Sequence, residues 1–525
     1  MSMKTEWSFG KIDMGVAETT EDARPDRDTP FRILLLGDFS GRGSRGIADA
    51  PGLARRRPVA IDRDNVDEVF ARLGVEVGLP VGEGGTRANV RFGELDELHP
   101  DHIVDQLAVF GELRALRRRL LNADTFDDAA ATLAGWAGAE TAAQTPAEPE
   151  SPSAPEAPEP GVPMPDDLFD TIIAETTEQS PDDASRSGSD LADRLIREIV
   201  GPYVVPAPVP RQGELVASVD TATGHQLRTI LHDPDFQSVE GGWRALDLLV
   251  RRLETDARLK LYLIDVTRDE LAADLAADEL AKTGLYKLLV GQTIETPGGQ
   301  PWAAVMGHFS FGGTAEDAAL LGRIARIAAR AGAPFLAAAD SALVGCRSLA
   351  AAPDSDDWTD TLPAEAGEAW QALRGLPEAT YLGLYLPRFL LRFPYGKRTD
   401  PVRSFDFEEI TDDMDDAARH AAYLWGNPAF AAICLVGQAF SEAGWDLRPG
   451  APNQLEGMPL HVFTRDGDQE LLPCAEILLT ERGAERLLER GITPVWTVKD
   501  TDRIRVGPFR PLAAGARKLA GRWAS

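Results

Sequence analysis

The stretch LHDPDFQSVEGGWRALDLLVRRLETDARLKLYLIDVTRDEL, residues 231–271, runs through two different periodicities in 41 residues. From about Val239, the side chains of Trp243, Leu246, Leu249 and Val250 fall at helical spacing and make one apolar face. Glu240, Arg244, Asp247 and Arg251 lie on the other faces, at i, i+4 and i, i+3 separations that favour local ion pairs on a charged exterior. LKLYLIDV, 259–266, then reads as a strand, and the run from Arg268 to Leu289 as helical again. Helix, strand and helix in succession predict an α/β layered domain. The same stretch concentrates His232, Asp233, Asp235, Glu240, Trp243 and Arg244, so it poses a choice between a catalytic cluster and a contact surface.

The alternation extends in both directions. PWAAVMGHFSF (301–311), APFLAAAD (333–340) and YLGLYLP (381–387) read as strands, with a helix over AEDAALLGRIARIAARAG between the first two. Near the start, FRILLLGDFS (31–40) is a buried strand ending in glycine and acid. RPVAI (57–61) and ANVRFGEL (88–95) are further strands, and NVDEVFARL (65–73) is helical. HPDHIVDQLAVFGELRALRRRLL, 99–121, predicts one long helix with a stripe of Leu107, Phe110, Leu113, Leu116 and Leu120. The uncharged run 421–440 is broken by Asn427–Pro428, which predicts a cap and the start of a buried helix, not a membrane span.

Between the two alternating regions the composition changes. Residues 146–165 hold eight prolines and four glutamates, and from 120 to 185 there are fifteen acids without a single Lys or Arg. Such a segment cannot build a packed core and reads as an extended connector. DDLFDTIIAETTEQ (166–179) and SDLADRLIREIVGPYV (189–204) follow as short amphipathic helices. The formal net charge of −30 excludes nucleic acid and anionic membranes as natural partners. Cys346, Cys434 and Cys474 are far apart among apolar neighbours, which predicts buried free thiols. No secretory signal opens the sequence, and the expected location is the cytoplasm.

Several motifs suggest chemistry and fail on context. GRGSRG, Gly41–Gly46, follows a strand as a dinucleotide fingerprint does, with Asp62 and Asp64 about twenty residues on. The helix that should receive the pyrophosphate is forbidden by Pro51, Gly52 and Pro58, so a nucleotide-binding enzyme is only a remote alternative. His99 and His102 sit at a helix start without a third ligand nearby, and DFEEITDDMDD (406–416) lacks the glycine of a calcium loop and reads as solvated. His308 and Ser310 share a strand face with no oriented base. No catalytic, cofactor-binding or metal-binding residue is assigned.

The order of segments does resemble a family. LHDPDFQSVEGGWRALDLLV, PWAAVMGHFSFG, IARIAARAGAPFLAAAD, YLGLYLPRFLLRFPYG, FDFEE, YLWGNPAFA and CAEILLTERGAERLLERGITPVWTVKDTD are similar to the large contractile-sheath protein of the type VI secretion system, the TssC or VipB family. PFRILLLGDFSGR, PVAIDRDNVDEVFARL and FGELDELHPDHIVDQLAVFGELRALRRRLL resemble its small sheath protein, TssB or VipA. The resemblance implies two sheath subunits joined by a Pro/Glu-rich linker, divided as follows: an arm at 1–30, a small-subunit-like domain at 31–122, a linker at 123–166, leading helices at 167–204, a large-subunit-like domain at 205–512 and a tail at 513–525. It implies a non-enzymatic subunit that assembles around an inner, Hcp-like tube and contracts. The implied partners are other copies, the tube, the baseplate and an AAA+ unfoldase resembling ClpV, without cofactors or membrane insertion. The sequence ends soon after the matching segments, so a shortened sheath-like accessory that caps the sheath or baseplate is the alternative. The interface candidates are Trp243, Arg244, Arg388, Arg392, Tyr395, Trp425 and Asn427, where aromatic and arginine side chains suit contact surfaces and burial within the subunit is the competing reading. Phe389, Leu390 and Phe393 are expected in the core.

Overall fold

A nine-stranded sheet organises the larger part of the chain. The computed structural model describes residues 9–11, 25–82, 85–143, 195–197, 199–200, 212–465 and 468–523. The connector at 146–165 and the segment 166–179 lie outside the described residues. Six strands run parallel in the centre: β5 (Leu259–Asp265), β1 (Phe31–Gly37), β6 (Ala304–Phe311), β7 (Phe335–Ala339), β8 (Leu382–Leu386) and β14 (Ile492–Thr497). Antiparallel strands close both margins: β2 (Val59–Ile61) beside β5, and β15 (Ile504–Val506) with β11 (Gln454–Leu455) beyond β14. The order across the sheet is therefore β11-β15-β14-β8-β7-β6-β1-β5-β2. The remaining described strands are β3 (Glu76–Val81), β4 (Thr86–Arg91), β9 (Phe389–Leu390), β10 (Trp425–Gly426), β12 (Val462–Arg465) and β13 (Asp468–Leu471), and α1 spans Val66–Leu73.

A parallel strand covered by helices on both faces needs apolar residues at nearly every position, and β1 reads FRILLLG for that reason. Leu34 and Leu36 face a core built with α8 (Ala315–Ala331) and α7 (Arg268–Leu275), while Phe31, on the opposite face, stacks on Phe440 of α11 (Ala429–Ala443) at 4.5 Å. Strand β1 therefore lies in the middle of the sheet, bonded on one side to β5 and on the other to β6, although more than 200 residues of sequence separate it from both.

The chain forms two compact units, one of residues up to 79, 89–99 and 231 onward, the other of 80–88 and 100–230. The second unit contains α2 (Pro100–Gln106), α3 (Ala108–Leu121), α4 (Phe126–Ala143) and most of α5 (Gln212–Leu231). The single helix expected at 99–121 is divided at Leu107, whose extended backbone (ψ 116°) ends α2 before α3 begins. Residues 126–143, read as the start of the connector, are helical, because a run rich in alanine is the best helix former available. Arg117 of α3 donates to Asp220 of α5 at 2.6 and 3.1 Å, and Gln212 donates to the Leu120 carbonyl at 2.7 Å.

In the first unit, α6 spans Pro234–Arg252 and begins five residues before the apolar pattern suggested. Asp233 caps it, accepting from the amides of Asp235 and Phe236, and Pro234 occupies the first turn, where its missing amide costs no hydrogen bond. The helical run expected over 268–289 is divided as well: α7 ends at Leu275, and short turns from Leu280 to Gly291 replace its continuation. Thr283 caps one of those turns, a hydroxyl–glycine break that the sequence displays.

Because β1 is hydrogen-bonded along both edges and its apolar side chains are buried, the two halves should hold together without the connector. Introducing a protease site within 146–165 and cutting the purified protein is expected to leave its elution volume in size-exclusion chromatography unchanged. Separation of the fragments under native conditions would contradict the central placement of β1.

Candidate functional site

Three of the seven interface candidates, Arg244, Arg392 and Tyr395, meet in one buried charged cluster. Arg392, 9% exposed, lies between two carboxylates with no exposure at all, Glu240 of α6 and Glu409. Its Nε and Nη2 donate to Glu240 at 2.8 and 3.3 Å, and its Nη1 and Nη2 donate to Glu409 at 2.7 and 3.0 Å. Arg244 donates to Glu240 at 2.7 Å and to the Tyr395 hydroxyl at 2.8 Å. The Tyr395 hydroxyl in turn donates to Glu240 at 3.3 Å, and the Tyr395 amide to Glu409 at 2.7 Å. The Arg392 guanidinium lies 4.1 Å from the centre of the Tyr395 ring, and His232 Nε2 is 3.6 Å from Glu409.

The electrostatics follow from this geometry. Burial opposes the ionisation of Glu409, but Arg392, by its charge and hydrogen bonds, and the nearby His232 outweigh it and hold the carboxyl at about 2. Glu240 is lowered likewise, burial being overcome by Arg392 and Arg244. Burial, and then the charge of Glu240, drive the Tyr395 phenol far above its ordinary range, so it stays a neutral donor. Two carboxylates and two guanidiniums make the cluster formally neutral, which is the arrangement a buried ionic group needs.

Glu240 is thus buried, not on the charged exterior predicted for it, and the 406–416 segment sends Glu409 into the core, not into solvent. The i, i+4 pair predicted between Glu240 and Arg244 does form, as does the exposed one between Asp247 and Arg251 at 2.7 Å. Glu409 stands within FDFEE and the acidic run 406–416, but nothing local marks it as buried, because its partner Arg392 lies elsewhere in the sequence. The signal for Glu240 was the glycine pair that follows it. A side chain at Gly242 would meet His308 at 3.1 Å, so α6 packs there against the sheet at glycine distance.

The remaining candidates hold neighbouring parts together. Trp243 is fully buried and donates its indole N–H to the Phe39 carbonyl at 2.7 Å. Arg388, partly exposed, donates to Glu476 at 2.6 and 3.1 Å; burial opposes ionisation of Glu476, but Arg388 and His420 hold its carboxyl at about 2. Trp425 donates to the His420 carbonyl at 2.8 Å and pairs through its backbone with Leu390. Asn427, 8% exposed, accepts from the Ala429 amide at 2.9 Å, which starts α11, and donates to the Phe309 carbonyl of β6 at 3.1 Å. Phe389 and Leu390 are core residues as expected, but Phe393 is 41% exposed. It borders a cleft of about 930 Å³ lined also by Lys397, Arg398, Arg419, His461 and Val462.

The glycine loop at 41–46 is closed to phosphate by its own carboxylate. Asp38 accepts from the amides of Arg42 and Gly43 at 2.8 and 2.7 Å, the donors a phosphate would need. In open parallel sheets ligands enter at the carboxyl ends of strands where the order reverses, here between β1 and β6. That crevice is filled by Phe39, Trp243, His308 and Phe430, with the His308 ring stacked on Phe39 at 6.2 Å and meeting Phe430 edge-on at 5.6 Å. The loop is also anchored: Arg42 and Arg56 both donate to the fully buried Glu270, at 2.7 and 2.6 Å. Glu270 also closes a capping box with Thr267. Burial opposes ionisation of Glu270, while Arg56 and backbone amides hold it at about 2. Cys346, Cys434 and Cys474 are all buried and unpaired, and no group of three metal-ligating side chains occurs among the described residues. No helix among them is long and apolar enough to cross a membrane.

Three carboxyls held near 2 set the acid stability. Each binds its proton more readily in the unfolded chain, near pH 4.3, so the stability it contributes is complete above that value and is lost as the pH falls towards 2. Urea midpoints measured from pH 6 down to pH 2.5 should decline below about pH 4.5, and Glu409→Gln should flatten that decline. Arg392→Ala leaves two buried carboxylates with half their cations and is expected to cost about 3–5 kcal/mol in urea unfolding. Arg392→Lys should recover little of the loss, since one ammonium cannot bond both carboxylates in fork geometry.

With this geometry in hand, comparison with known proteins gives concordant matches. The family model VipB, described as EvpB/VC_A0108, tail sheath N-terminal domain, matches residues 213–506. A second model, described as type VI secretion system, VipA, VC_A0107 or Hcp2, matches residues 11–131. The type VI secretion system sheath protein TssC1 of Pseudomonas aeruginosa is 33% identical over 297 residues, covering 55% of this chain and 58% of that protein. The chain thus spans 58% of the length of this curated relative.

Proposed function

We propose, because the chain belongs to the VipB tail-sheath family, that it is a structural subunit of a type VI secretion sheath and carries both subunit types of the building block. The observation that carries this reading is the position of β1. It comes from the segment matched by the VipA model, and it is bonded on both sides to strands from the segment matched by the VipB model. A small-subunit and a large-subunit segment that share one sheet have a fixed one-to-one stoichiometry. The connector between them keeps the pair at an effective concentration of roughly millimolar while the sheet forms.

The function in this reading is mechanical. Copies of the block pack helically around an inner, Hcp-like tube, anchored at a baseplate, and contraction follows from repacking between copies without nucleotide chemistry in this chain. Its setting is the cytoplasm, where an AAA+ unfoldase acts on the contracted form. The closed glycine loop and the filled crevice between β1 and β6 support a packing role for the residues that first suggested a dinucleotide site. Among the interface candidates, Arg388 and Arg244, each partly exposed while tied to a buried carboxylate, are the ones we assign to contacts between copies.

Negative-stain electron microscopy of the purified chain, alone and with its cognate tube protein, tests this directly. Tubes of uniform diameter are the expected result. Discrete particles under both conditions would contradict the polymer and favour the non-polymerising accessory.

A further inference from the structure

Arg374 and Arg490 share one cavity of the first unit without a carboxylate partner, unlike the arginines of the buried clusters. Arg374 ends α9 (Ala364–Arg374) and is half-buried. Neutral acceptors fix its guanidinium: Nε donates to the Leu512 carbonyl at 3.3 Å and Nη2 to the Glu489 carbonyl at 2.8 Å. Arg490 is exposed and follows α12 (Glu481–Glu489). The turn that carries it is fixed by Gly491, whose φ is +78° and where a Cβ would lie 3.0 Å from Leu512 Cα. Burial, and then the charge of Arg490, lower the pKa of the Arg374 guanidinium from its ordinary value, and no acid offsets them.

The cavity has a volume of about 350 Å³, and Leu343, Leu362 and Trp370 give it an apolar wall. Its own acids do not neutralise the two cations. The Asp360 carboxylate accepts from Arg347 at 3.1 Å, and Glu489 meets Arg374 through its backbone carbonyl. Gly367 of α9 also lines the cavity, and a Cβ there would meet no atom within 4 Å, so this side of the helix is open. Like charges held near each other in a partly buried site are unfavourable until an anion joins them.

We propose that this cavity binds a small phosphate ester, with its phosphoryl group between Arg374 and Arg490 and its apolar body against Leu343, Leu362 and Trp370. A phosphoryl group carries about −1.5 to −2 charge at neutral pH and accepts the forked hydrogen bonds of guanidinium, so one such group balances both arginines. A carboxylate brings one charge to the same two cations. The volume lies within the range of small-molecule sites. All the lining residues belong to the first unit, and the site does not rest on the sheath reading.

Calorimetric titration of the full chain with phenyl phosphate, at fixed ionic strength in chloride, tests the site. Saturable binding is expected, and Arg490→Gln should weaken it about tenfold through the loss of a charged hydrogen bond. Gly367→Leu adds bulk to the cavity without removing either arginine and should weaken binding as well. Inorganic phosphate should bind more weakly than phenyl phosphate; equal affinity would overturn the ester in favour of free phosphate. Absence of saturable binding, unchanged affinity in Arg490→Gln, or benzoate binding as tightly as phenyl phosphate would overturn the proposal. Arg490→Glu separates a lost site from a damaged fold, because it sets a carboxylate near Arg374. Its thermal midpoint in chloride should equal or exceed that of the unaltered chain, and phenyl phosphate should no longer raise it. A lower midpoint would mean that the two arginines do not repel, and would overturn the argument for an anion.

Discussion

The Arg392 guanidinium between Glu240 and Glu409 is the constraint around which the larger unit is arranged. Removing two carboxylates from water costs several kcal/mol each unless the partner geometry is nearly complete. Here completeness requires three separate pieces of chain at once: α6 for Glu240 and Arg244, the segment around Arg392 and Tyr395, and the loop that carries Glu409. Apolar packing tolerates small sliding of one element against another. A fork of hydrogen bonds at 2.7–3.0 Å does not, so the cluster fixes the register in which α6 lies on the sheet.

The same economy appears at the carboxyl end of β1. Asp38, Asp265 and Glu270 are three acids that a nucleotide enzyme would use to read ribose or metal, and all three bond inward. Asp38 closes the 41–46 loop, Asp265 accepts the Phe39 and Ser40 amides at 2.8 and 3.0 Å, and Glu270 receives Arg42 and Arg56. A glycine-rich turn after a parallel strand is therefore not sufficient for ligand binding. The turn must also leave its amides free, and in this chain an aspartate three residues upstream of the first glycine consumes them.

What the sequence displayed depended on the range of the interaction. Element types were legible wherever local periodicity decides them: β1, β5, β7 and β8 as apolar runs, α6 and α8 as amphipathic stripes, and Asn427 as the start of α11. Breaks inside continuous patterns were not, since Leu107 extends the stripe of 99–121 while its backbone interrupts the helix, with no glycine or proline to mark it. The charged cluster was half legible. Glu240 and Arg244 stand four apart, so their pairing is a helix property, but Arg392 lies 152 residues from Glu240 and Glu409 a further 17 beyond it. Only the fold joins them. The family resemblance supplied the likeness of each half to a sheath protein, but the insertion of β1 between β5 and β6 is a fact of three dimensions that no segment by itself contains.

The charge distribution bears on how such blocks approach one another. A net charge of −30 spread evenly would oppose packing at every contact, and salt screens it only beyond about 8–10 Å. Half of that excess lies in residues 120–185, which contain fifteen acids and no Lys or Arg. The remaining sequence is correspondingly closer to balance, and its buried carboxylates are matched: Glu240 and Glu409 by Arg392 and Arg244, Glu270 by Arg42 and Arg56, Glu476 by Arg388. Half of the acidity that bulk composition assigns to the protein is thus concentrated in one stretch of chain. A protein can be strongly acidic in solution and still present nearly neutral faces to its neighbours, provided the excess is carried by chain that the packed surfaces do not use.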